Sequence, residues 1–137
     1  MKDFDKMVQV RNEYNDEYII TEALKCLDDF SRAFESEDLD AMDDCCHFPH
    51  YIISGNEVTV WNSRGQINHD FFEKLKEAGF KKTIITNRKP VLVSQNKVHF
   101  LYSYERVDIN DKIMSRHDNL WILTKIDGRW GIQVRSY

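Results

Sequence analysis

At Gly79 the hydrophobic period of the chain changes, and few folds accommodate such a change. Upstream, apolar residues recur at helical spacing. Downstream, apolar and polar residues alternate to the C-terminus, the period of strands buried on one face. Strands are predicted at 82–93, 97–107, 113–126 and 129–136, separated by Gln95-Asn96, Asn110-Asp111 and Asp127-Gly128. Asp-Gly is a strong signal for a two-residue hairpin, because both central residues need positive φ. Pro90 lacks an N–H for the sheet ladder, so a bulge is expected beside it.

Before Gly79, Asp16 is placed to cap a helix whose apolar stripe is Ile20, Leu24, Leu27, Phe30 and Phe34. Asp38 caps a short second helix through Leu39, Met42 and Cys46, ended by Phe48-Pro49. Two short strands, 51–54 and 57–61, flank Ser54-Gly55-Asn56, and a third helix covers 68–78 with Phe71, Phe72 and Leu75 inward. Helices first and a meander afterwards define an α+β fold, with helices packed on a curved, mostly antiparallel sheet. Residues 1–15 read as a tail or short packing segment and 16–137 as a single domain.

Hairpin register divides the sheet into two faces. From Asp127-Gly128, Leu123 should oppose Ile132 and Trp121 should oppose Val134; from Asn110-Asp111, His117 opposes Tyr104 and Asn119 opposes Tyr102. One face then carries Val98, Phe100, Trp121, Leu123, Trp130, Ile132 and Val134, an apolar block for the helices to cover. Toward its other end this face holds Tyr102, Tyr104, His117, Asn119 and Ser136. An apolar floor leading to convergent polar groups is how small-molecule pockets are lined.

The expected pocket residues are Trp61, Phe100, Tyr102, Arg106, Asn119 and Trp121. His50 and His117 are the candidate bases, and Tyr104 the donor that steadies developing negative charge. The opposite face carries Leu101, Glu105, Arg116, Asp118, Leu120, Ile122, Gln133, Arg135 and Tyr137. Leu101, Leu120, Ile122 and Tyr137 suit a homodimer interface, with Glu105 and Arg116 directly opposed.

The element order, with His47-Phe48-Pro49-His50, the closing Asp127-Gly128-Arg129-Trp130-Gly131-Ile132, and Arg135-Ser136, resembles the nuclear-transport-factor-2-like superfamily, most of all its SnoaL-like branch. The resemblance implies a cone-shaped fold, commonly dimeric through the outer sheet face, shared by isomerases, dehydratases, cyclases and non-enzymatic domains. Ketosteroid isomerase, a standard example of tuned carboxyl groups, uses an Asp base with a Tyr and a protonated Asp. Here Asp118 falls on the outer face, so that set does not transfer. Two readings follow: a pocket protein for a small apolar or aromatic molecule, extending to a proton-transfer enzyme of isomerase, dehydratase or hydrolase type, or a non-catalytic binding or dimerisation module.

Other functions find less support. A formal charge of −4 over 137 residues disfavours nucleic acid as a partner. No apolar run is long enough for a membrane span, and the N-terminus lacks the layout of a secretory signal. Three cysteines, Cys45 and Cys46 adjacent, make a poor disulfide framework and suggest the cytoplasm. Cys45, Cys46, His47 and His50 lack zinc-site spacing, so no metal is expected, and the pair reads as small buried hydrophobes. The acidic run from Glu35 to Asp44 lacks the glycine of a calcium loop and reads as a solvated surface. No phosphate-binding glycine loop or nucleophile elbow is present, and no cofactor is expected.

Overall fold

The computed structural model describes residues 15–137, so the expected tail lies, but for Asn15, outside the described residues. In chain order the elements are α1 (Asp16–Glu35), α2 (Leu39–Asp44), β1 (Cys46–Ser54), β2 (Glu57–Trp61), α3 (His69–Glu77), β3 (Phe80–Ser94), β4 (Lys97–Asp108), β5 (Ile113–Ile126) and β6 (Arg129–Ser136). The strands form one six-stranded sheet in the order β2-β1-β6-β5-β4-β3. Its neighbours are antiparallel except for β1 beside β6, which run parallel.

Helix α1 starts one residue earlier than expected. The Asn15 side chain accepts from the Tyr18 N–H at 3.1 Å, leaving Asp16 and Glu17 in the first turn, where they complement the helix dipole. Its buried stripe is Ile19, Ala23, Cys26, Leu27, Phe30 and Ala33, so Ile20, Leu24 and Phe34 flank the stripe instead of centring it. Asp38 caps α2 as expected, accepting from the Ala41 N–H at 3.1 Å. That helix stops at Asp44, before Phe48-Pro49, which lies inside β1 with a cis peptide bond. Asn68 caps α3, and Gly79, at φ 97°, turns the chain from α3 into β3.

The core lies between α1 and the inner sheet face. Phe100, Leu123, Ile132 and Val98 are fully buried, and Trp121 meets Phe30 edge-on at 5.7 Å while stacking on Tyr102 at 4.2 Å. The sheet bulges beside Pro90, where the pairing passes from Pro90–Phe100 to Leu92–His99. The β4–β5 register is the expected one from Val98–Leu123 through Arg106–Ser115. Asp127 and Gly128 both take positive φ in the last turn.

The β5–β6 pair departs from expectation after its first four pairs, Ile126–Arg129 to Leu123–Ile132. Leu123 opposes Ile132, but Ile122 opposes Val134 and Trp121 opposes Arg135, leaving Gln133 as an extra residue in β6. Gln133 is held at both ends of its amide: its oxygen accepts from Thr124 Oγ1 at 2.9 Å, and its nitrogen donates to the Pro49 carbonyl. Because strand faces alternate, one inserted residue exchanges them. Val134 and Ser136, expected inside, turn away from the core face, and Arg135 and Tyr137, expected outside, turn toward it.

Candidate functional site

Between α1, α3 and the inner face lies a cavity of about 570 Å³. Its apolar wall is Phe30, Phe34, Ile67, Phe71 and Trp121, and its polar wall includes Tyr102, Tyr104, Arg106, His117, Arg135 and Tyr137. The loop entering α3 closes one side. Arg64 in that loop donates to Asp44 at 2.7 Å, and the Gly65 N–H donates to Asp43 at 3.0 Å, so the acidic face of α2 holds the loop whose Gln66, Ile67 and Asn68 line the cavity. The acidic run thus has a local task as well as a solvated face.

His50 does not reach the cavity wall. It is fully buried, its Nδ1 lies 2.9 Å from the Ile132 carbonyl, and its Nε2 accepts from Arg135 Nε at 3.0 Å. A guanidinium only donates, so the ring is neutral and carries its proton on Nδ1. Burial, then the charge of Arg135, lowers its pKa from 6.5 to about 4. With both nitrogens engaged, His50 has no lone pair for a substrate. Its expected role as a base is therefore replaced by that of a clamp on Arg135.

That clamp sets the floor of the site. Arg135 lies over the Trp61 ring at 5.4 Å and the Trp121 ring at 5.9 Å, and donates to the Tyr137 hydroxyl at 3.2 Å. Trp61 also stacks on His50 at 5.6 Å. Opposite, Arg106 lies 6.0 Å above the Tyr104 ring. Neither Arg106 nor Arg135 has a carboxylate partner among the described residues.

His117 keeps its expected place opposite Tyr104. Its ring stacks on that tyrosine at 4.7 Å and its Nε2 lies 2.8 Å from Ser115 Oγ, with Nδ1 unpaired among the described residues. Partial burial, then the Arg106 charge, lowers its pKa, so the ring is neutral at pH 7. Burial raises the pKa of Tyr104 and, more than the Ser31 contact lowers it, that of Tyr102; both phenols keep their protons. A neutral imidazole beside a protonated phenol can accept a proton while the phenol donates a hydrogen bond.

Phe100 and Asn119, expected to line the pocket, lie in the packed layer beneath it. Asn119 Nδ2 and Trp121 Nε1 are buried without a partner among the described residues. Arg135 and Tyr137 were missed as lining residues because the bulge that turns them inward has no signature in the β6 sequence. Phe30, Phe34 and Phe71 come from helix stripes and were assigned only to the core.

The cysteines and His47 are structural. Cys26, Cys45 and Cys46 are buried free thiols, and burial pushes Cys46 up to about 12. Both ring nitrogens of His47 are taken by Arg129, through its carbonyl at 2.9 Å and its guanidinium at 3.0 Å. Among the described residues no three His, Cys, Asp or Glu side chains gather as a metal site would require.

A family model described as NTF2-like protein (DUF6841) matches residues 21–135. The chain belongs to that NTF2-like family. Solved structures agree on the fold. An NTF2-like protein with a cystatin-like fold from Novosphingobium aromaticivorans superposes with a TM-score of 0.67 at 11% identity, covering 87% of this chain and 80% of that one. A Nostoc punctiforme protein of unknown function with a cystatin-like fold gives 0.65 at 12% identity, over 93% and 92%. A proposed ketosteroid isomerase from Shewanella frigidimarina gives 0.63 at 15% identity, over 84% and 93%. No curated protein matches the chain. At such identities the likeness is one of fold: the helices and six-stranded sheet are the NTF2-like cone.

Proposed function

We propose that this NTF2-like protein binds a small molecule with an apolar or aromatic body in the cavity over Trp121. The observation that carries the reading is a cavity of about 570 Å³, floored by aromatic rings, into which a few fixed polar groups converge. Native mass spectrometry of the purified protein tests it. A bound small molecule should appear under gentle ionisation and be absent from Ile67→Trp, which puts bulk into the cavity lining. Identical bare masses for both, with no apolar probe taken up, would reject the reading.

A proton-transfer activity is the second reading, favoured by the free Nδ1 of His117 beside the Tyr104 phenol. In it His117 takes the proton and Tyr104 stabilises the negative charge that develops. His117→Gln should lower turnover roughly 10²–10⁴-fold while leaving ligand affinity within a few-fold. Equal turnover would leave a binding module. We also propose a cytoplasmic homodimer joined through the outer sheet face at Leu101, Leu120 and Ile122. Among the described residues no helix is long and apolar enough to cross a membrane.

A further inference from the structure

Arg32, Arg64, Arg88 and Arg116 each face a carboxylate, from Asp29, Asp44, Asp28 and Glu105. Arg129 bonds only backbone carbonyls and His47, and the two arginines of the cavity likewise have no carboxylate partner among the described residues. Arg135 is held instead by neutral His50, which fixes the guanidinium without cancelling its charge. An aspartate there would have neutralised it. Arg106 Nε and Trp121 Nε1 are buried donors with no acceptor among the described residues, and leaving such groups unmet costs about 1–3 kcal/mol each. The one carboxylate side chain on the lining, Glu35, is exposed and pairs with neither arginine.

These groups converge on one place. Arg135 reaches the Tyr137 hydroxyl at 3.2 Å, and Tyr137 contacts the Tyr104 hydroxyl, above whose ring Arg106 lies. Two cations without a carboxylate partner among the described residues thus border a cavity whose floor is aromatic. Such a site is incomplete without an anion, since cations next to a low-dielectric space are costly unless paired.

Building on the small-molecule reading above, we propose that the ligand is a carboxylate, its charged end between Arg106 and Arg135 beside Tyr104 and its apolar body against Phe30, Phe71 and Trp121. Fixed guanidiniums form the stronger, charge-assisted class of hydrogen bond with such a group.

Isothermal titration calorimetry at pH 7 and low salt, with 2-naphthoate, 2-naphthamide and 2-naphthylmethylammonium as probes, tests this. The carboxylate should bind at least about tenfold more tightly than the amide, and the ammonium most weakly. Arg106→Gln should remove most of the carboxylate's advantage while leaving the amide's affinity within about twofold. Arg135→Gln should do the same, but it also strips His50 of its partner, so Arg106→Gln carries the decision. Equal binding of the three probes, or equal loss of carboxylate and amide in Arg106→Gln, overturns the anion site. The pocket reading would then survive, provided Ile67→Trp still blocks binding. No binding of any probe up to millimolar concentration overturns both.

Discussion

The His50–Arg135 contact ties stability to pH in a way that can be isolated. His50 titrates near 6.5 in the unfolded chain and near about 4 in the folded protein, because burial and the Arg135 charge oppose its protonation. Between those values the unfolded state holds the proton and the native state does not. Stability therefore falls as pH drops from 6.5 toward about 4 and levels off below that. The difference corresponds to about 3 kcal/mol at 1.36 kcal/mol per pH unit. His47, His99 and His117 are shifted in the same direction and add to the slope, so wild type alone does not report on His50.

The comparison with His50→Gln does. The variant is expected to be less stable than wild type at pH 7, because it loses the stack on Trp61 and reshapes both hydrogen bonds. Having no titrating group at this position, it should not share the His50 part of the acid loss. Urea unfolding from pH 7.5 to pH 4 should show wild type losing about 2–3 kcal/mol more than the variant. A stability gap that stays constant across that range would mean His50 is not buried neutral, and the account of Arg135 would fall with it.

Three further predictions follow from packing and assembly. A Cβ on Gly131 would lie 2.6 Å from the His47 ring, which both ends of Arg129 hold in place, so Gly131→Ala should cost about 1–3 kcal/mol by urea unfolding; a neutral change would show that the ring moves freely. Trp121→Ala removes the contacts with Phe30 and Tyr102 and should cost about 3–5 kcal/mol, and a loss below about 1 kcal/mol would contradict its place in the core. Sedimentation equilibrium should show a micromolar dimer that Leu101→Glu dissociates, whereas a monomeric wild type would refute the outer-face interface.

Much of the fold was legible because it is written in local patterns. The change of period at Gly79, the capping side chain of Asp38, and the Asp127-Gly128 turn each act within a few residues. They place helices first and a meander afterwards, and the β4–β5 register follows closely enough to set Tyr104 opposite His117 and Tyr102 opposite Asn119. The order of elements with the His47-Phe48-Pro49-His50 segment pointed to the NTF2-like superfamily. The start of α1 was misplaced by one residue because Asn15 and Asp16 are both good caps, and the choice between them depends on which helix face meets the sheet.

The candidate site depended on contacts the chain makes with itself at long range. Whether Arg135 and Tyr137 face the cavity turns on one extra residue, Gln133, whose amide is held by Thr124 and by Pro49 from a different strand. A strand exposes alternate residues, so nothing within β6 distinguishes the two outcomes. His50 lies 82 residues from the carbonyl it bonds, and only the parallel pairing of β1 with β6 brings it behind Arg135. Sequence alone determined that an apolar sheet face would end in tyrosines and a histidine. Tertiary structure decided which charges join them, because a single bulge reverses every side chain beyond it.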